Sequence, residues 1–115
     1  MTDIDKQLVM YSRTTGCPFL TLARRVLHDY HVAYHEIFID RDAIALHNVV
    51  TWTGFRSVPT LVIARRGEIV PYVDVAPLPT GHSPRGIDRG AMITEPNIPE
   101  LEAWLTKHGL IEMTS

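Results

Sequence analysis

Internal disulfides are closed to this chain of 115 residues, because Cys17 is its one cysteine. That excludes a stapled secreted scaffold and agrees with a reducing compartment. Charge of one sign is also scarce. A formal net charge of −2, with 21 % charged residues, argues against a nucleic-acid binder or a polyanion receptor. No apolar run approaches the roughly 18 residues of a membrane-spanning helix, and Met1-Thr2-Asp3-Ile4-Asp5 is acidic where a secretory leader is basic. Internal repeats and low-complexity tracts are missing too. These absences point to a cytoplasmic protein with small-molecule or protein partners, with neither nucleic acid nor membrane among them. The 45 % hydrophobic content and the length suit one domain over residues 1–115, able to bury a core without metal or disulfide support.

What is present is organised around Thr14-Thr15-Gly16-Cys17-Pro18-Phe19-Leu20. Upstream, Gln7–Ser12 is a short apolar run that reads as a buried strand. Downstream, Pro18 suits the first turn of a helix, and Phe19, Leu22, Ala23, Val26, Leu27 and Tyr30 recur at helical spacing. Cys17 thus stands at a helix N-terminus, where unpaired N–H groups and the positive end of the macrodipole favour a thiolate, the nucleophilic form.

The remaining elements follow in alternation. Val32–Ile39 reads as a second strand, rich in strand formers. Asp40 then looks like the N-cap of a second helix over about 41–53, with Ile44, Leu46, Val49, Val50 and Trp52 on its buried side and Gly54 as its stop. The run after Pro59 is a third strand, and Ile69–Val73 returns beyond the Arg65–Glu68 turn as an antiparallel fourth, with Pro71 marking an edge. Residues 74–96, rich in proline and glycine and without a period, form a long loop. Asn97-Ile98-Pro99-Glu100 has the pattern of a capping box that opens a last helix through Leu101, Trp104 and Leu105. Trp52 and Trp104 are expected as core aromatics. His28 and His31, one turn apart, are expected at the surface, because without a second cysteine or a carboxylate pattern they make no metal signature.

Three separated features together resemble the glutaredoxin branch of the thioredoxin-like superfamily: Tyr11-Ser12-Arg13 followed by Gly16-Cys17-Pro18-Phe19, the Thr53-Gly54-Phe55-Arg56-Ser57-Val58-Pro59 segment, and the β-α-β-α-β-β-α order. The resemblance implies an α/β thioredoxin-like fold, with a mixed four-stranded sheet and about three helices. It also implies a cis Pro59 facing Cys17, and a glutathione-binding set of Arg13, Phe19, Arg56, Ser57, Val58 and Pro59. Arg13 and Arg56 would hold carboxylates, Phe19 would line the groove, and the Val58 backbone would pair with the peptide. Glutathione or a similar thiol then enters as co-substrate, with disulfide-bearing proteins as partners and no cofactor bound permanently.

Two departures from the family pattern sharpen that expectation. Leu20 occupies the place of a second active-site cysteine, so any turnover is monothiol: Cys17 takes up a glutathionyl group and a second thiol removes it. The family's Gly-Gly-Asp-like turn, which binds the γ-glutamyl end, is replaced by the 74–96 segment. Either Thr94, Glu95 and Asn97 serve that corner through the last helix's N-terminus, or glutathione is not the natural thiol; an acidic Glu95 weighs against the first. The leading expectation is a glutathione-dependent thiol transferase. Alternatives are a carrier of a 2Fe–2S cluster shared between subunits, against which Pro18 argues, and a thioredoxin-like binding module without redox activity.

Overall fold

The computed structural model of the protein describes residues 5–112; the acidic opening Met1–Ile4 lies outside them. The elements are β1 (Lys6–Ser12), α1 (Pro18–Asp29), β2 (His35–Phe38), α2 (Ala43–Thr53), β3 (Thr60–Arg65), β4 (Met92–Thr94) and α3 (Ile98–Lys107). They form one mixed sheet in the order β2-β1-β3-β4. β1 runs parallel to β2 and antiparallel to β3, and β3 runs antiparallel to β4. The expected mixed four-stranded α/β architecture with three helices is therefore found.

Central β1 explains why the sheet is a layer between helices. Leu8, Val9, Met10 and Tyr11 are all buried, so both faces of the strand are covered, as its unbroken apolar run requires. Tyr11 meets Trp52 of α2 edge-on at 5.4 Å. Ser12, on the opposite face, donates to Glu36, which also holds Arg24 of α1 at 2.6 Å. Helix α1 buries Ala23, Val26 and Leu27 of the expected stripe together with Leu20, while Phe19, Leu22 and Tyr30 are only half-buried. Trp104 is fully buried, while His28 and His31 are exposed.

Three expectations need correction. Asp42, not Asp40, caps α2 by accepting from the Ala45 N–H, and the helix begins at Ala43. Its buried stripe is Ala45, Val49 and Thr53, while Ile44 and Val50 are exposed. A stripe repeating every four residues outweighs mere apolar content.

The fourth strand is the largest difference. Residues 69–73 make a single bridge, Ala64 to Pro71, and the Tyr72 N–H donates to the Ile63 carbonyl. Pro71 has no N–H to extend that pairing. The edge of β3 is instead taken from Thr60 to Val62 by β4, with the Ile63 N–H donating to Ala91. The 74–96 segment therefore contains a strand. Its residues 85–89 also cover the outer edge of β4, through bridges from Arg85 to Thr94 and from Asp88 to Ile93.

Candidate functional site

Cys17 sits at the N-cap of α1 in extended conformation, and its side chain is not spent on capping. Pro18 behind it starts the helix at no cost in hydrogen bonds. The turn before it is pinned from β2's end. Asp40 accepts from the Thr14 N–H at 3.1 and 3.2 Å and from the Thr14 hydroxyl. Those Thr14 hydrogen bonds hold the Asp40 carboxyl below its ordinary value of 3.8. Arg13 folds back on the same turn, its guanidinium donating to the Gly16 carbonyl at 3.1 Å while its Nε is buried without a partner.

Opposite Cys17 lies the segment that follows α2. Gly54 at φ 81° ends the helix in the left-handed region, its N–H donating to Val50. The Thr53 hydroxyl shares its one proton between the Val49 and Phe55 carbonyls, each 2.8 Å away, and accepts from the Phe55 N–H. This fixes the chain's exit towards Arg56. The Val58–Pro59 peptide bond is cis, as the resemblance implies. Val58 is buried, and its carbonyl lies 3.9 Å from Cys17 Sγ. The Thr60 hydroxyl donates to the Ser57 carbonyl, and the Glu95 N–H donates to the Pro59 carbonyl at 2.8 Å. The cis-proline turn is thereby tied to β4's end.

Beside it opens a groove of about 340 Å³ lined by Phe55, Arg56, Ser57, Ser83, Pro84, Arg85 and Glu95. Arg56 and Ser57 are sequence-expected residues of this groove, and Arg13 does not line it. Phe19 reaches it indirectly, with the Arg85 guanidinium 4.8 Å above its ring. Arg85 also pairs with Glu95 at 3.6 Å. Sequence reasoning missed Arg85, because nothing periodic marks an arginine in a proline-rich segment as facing the rest of the fold.

Residues 8–69 match the glutaredoxin family model. The chain belongs to the glutaredoxin family. The matched span ends at Ile69, just before the proline-rich segment. Among solved structures, it is similar to a buckwheat glutaredoxin–glutathione complex, at 24 % identity over 49 % of this chain, with a TM-score of 0.41. The chain spans 53 % of the buckwheat protein's length. A structural-genomics target protein from X. campestris is similar at 24 % identity over 87 % of this chain and 96 % of that one, with a TM-score of 0.47. No curated protein matches.

The corner where α3 begins is closed in this glutaredoxin. The Asn97 N–H donates to Glu100 Oε1 and the Glu100 N–H to Asn97 Oδ1, which completes the predicted capping box. The Thr94 hydroxyl is buried against that of Thr60, and the Glu95 N–H is committed to Pro59. None of those groups is free to receive a carboxylate. Gly86 packs so closely that a Cβ there would sit 2.7 Å from Glu100 Oε2, and its φ of +74° disfavours a side chain in any case. Among the described residues no cluster of three or more His, Cys, Asp or Glu side chains could hold a metal. No helix among them is long and apolar enough to cross a membrane.

Proposed function

We propose that this glutaredoxin is a monothiol, glutathione-dependent thiol transferase in which Cys17 is the nucleophile. One observation carries the reading. The chain's single thiol stands uncapped at the start of α1 beside the cis-Pro59 turn, while Leu20, where a resolving cysteine would be, is fully buried. The Cys17 thiolate attacks the glutathione sulfur of a mixed disulfide. The S–S bond breaks, the target leaves as a thiolate that takes a proton from water, and Cys17 carries the glutathionyl group. A second glutathione thiolate attacks that sulfur, regenerating Cys17 and releasing glutathione disulfide. One glutathione thiol is consumed for each mixed disulfide reduced, and the S–S bond reappears in glutathione disulfide.

In this reading Arg56, Ser57, Val58, Pro59 and Phe19 border the bound thiol, and Arg13 acts by holding Gly16 ahead of the nucleophile. Residues 1–115 act as one domain, its place is the cytoplasm, and its protein partners carry accessible disulfides. The test is intact mass after exposure to oxidised glutathione, together with the reduction rate of a glutathionylated peptide. Wild type is expected to gain one glutathionyl group and turn over; Cys17→Ser is expected to do neither, with a loss of at least ~100-fold. No adduct and no turnover in the wild type would leave a thioredoxin-like binding module as the better description.

A further inference from the structure

The groove beside Cys17 holds an uneven set of charges. Arg56 is exposed on its wall and, among the described residues, its side chain has no hydrogen-bond or ion-pair partner. Arg85 comes from the segment beyond the family match and rests on the face of Phe19, two residues after the nucleophile. Glu95 is the one carboxylate lining the groove, with 16 % of its side chain exposed against 60 % for Arg85. Its backbone is in the left-handed region at φ 47° and its N–H is tied to the Pro59 carbonyl, so the position of Glu95 is set by the cis-proline turn itself. Two cations and one internal anion leave the groove one negative charge short.

At the start of α3, several of the N–H groups that could receive a carboxylate are already engaged. The Asn97 and Glu100 N–H groups are taken by the capping box, and the Glu95 N–H by the Pro59 carbonyl. A planar guanidinium stacked on an aromatic ring is by contrast well prepared to take a carboxylate through two parallel N–H donors. The contact with Glu95, at 3.6 Å, is long for such a pair.

We propose that Arg85 is the specificity-determining residue of the groove, reading a carboxylate of the low-molecular-weight thiol, and that Glu95 is a built-in competitor for that guanidinium. This rests on the thiol-transferase reading for its biological sense, but not for its measurement. An incoming carboxylate neutralises the groove and shares or replaces Glu95 on Arg85. A neutral thiol leaves the internal pair in place and gains nothing. The inserted segment thereby selects acidic thiols.

The experiment is calorimetric titration of the full chain with S-methylglutathione, which has no thiol to exchange, and with its diethyl ester, which lacks the free carboxylates. Wild type is expected to bind the acid about tenfold more tightly than the ester. Arg85→Ala should abolish that ratio by weakening the acid alone, Arg85→Lys should restore part of it, and Glu95→Gln should tighten the acid several-fold. Equal binding of acid and ester by wild type, or a loss in Arg85→Ala that is the same for both, would overturn the proposal. So would the absence of any binding of the acid to wild type. Peptide deglutathionylation, followed in parallel, separates the two readings. Cys17-dependent turnover without the Arg85-dependent ratio would sink only the specificity. The ratio without turnover would sink only the transferase.

Discussion

The span from Leu8 to Ile69 and the span from Val70 to Asn97 are built by different physics. The first is held by layered burial: β1 and β3 are apolar runs buried on both faces, α1 presents apolar side chains at spacings of three to four, and they close on each other as layers. The second has little regular structure and is fastened at a few points by side chains that seek backbone carbonyls. Arg89 is the main one. It is 6 % exposed, and it donates from Nε to Ala76 and from one terminal nitrogen to Trp52, in the last turn of α2. Burial disfavours its charge and lowers its pKa, but the negative end of the α2 dipole compensates. From α3, the Trp104 indole N–H and the His108 ring both reach the Gly90 carbonyl at 2.8 Å, and Lys107 pairs with Asp88. A layered unit tolerates loss of any one surface contact, whereas a fastened one depends on few.

Cutting one fastener should show that difference most strongly. Arg89→Met leaves the part-buried Trp52 carbonyl and the more exposed Ala76 carbonyl without their donor, a cost of roughly 1–3 kcal/mol. Urea unfolding is expected to reveal it, with Arg89→Lys losing less because one bond can be remade. Hydrogen exchange should show residues 74–91 opening well before the amides of β1 and β3. If the variant instead unfolds with uniform loss of protection, the two spans are one cooperative unit and the contrast fails.

The same contrast decides what was legible beforehand. The β1–Cys17–α1 unit and the α3 capping box can be read from spacing and residue type, because local pattern and tertiary burial agree there. The cis bond at Pro59 follows only from family likeness, since a proline that starts a strand looks the same in either isomer. Ile69-Val70-Pro71-Tyr72-Val73 has the stronger strand composition, yet Met92–Thr94 wins the β3 edge. Three residues are too few to show alternation, and one missing N–H at Pro71 outweighs four good strand formers. Arg85 and Arg89 were illegible for a related reason. An arginine bound to a carbonyl or stacked on a ring carries the same letter as one in water. Asp40 had the right chemistry on the wrong partner: it receives N–H and O–H groups, but those of Thr14 across the sheet end and not of its own helix.

A gentler probe of the fastened span is acid. Burial lowers the His108 pKa below 6.5, with Lys107 and Lys6 adding to the effect and the Gly90 carbonyl and Asp88 opposing it. The folded state therefore prefers the neutral ring, and an unfolded chain binds the proton more readily. Its contribution is fully present above about pH 6.5 and is lost as the pH falls through the lower folded value. Glutamine can donate to Gly90 without titrating. The melting temperatures of wild type and His108→Gln should thus keep a constant difference above pH 7, with wild type losing ground between pH 6.5 and 5. Parallel curves across that range would mean that the ring keeps its charge state on unfolding.

The smallest effect should come from the layered span, at Asp40. Its carboxylate is exposed and its bonds to Thr14 fix only the turn ahead of Cys17. Asp40→Asn can keep one acceptor, so the fold should hold and the nucleophile should be placed slightly less well. A ~2- to 5-fold loss in kcat with KM unchanged is expected in the deglutathionylation assay, because misplacing a reacting group costs rate more than binding. The sign with pH is definite. Thr14 holds the carboxyl below 3.8, so its contribution is present above that value and is lost as the pH falls through the lower folded value. The variant's deficit should therefore be constant from pH 5 to 8. A deficit that grows with pH across that range would place a group other than Asp40 in control of the turn.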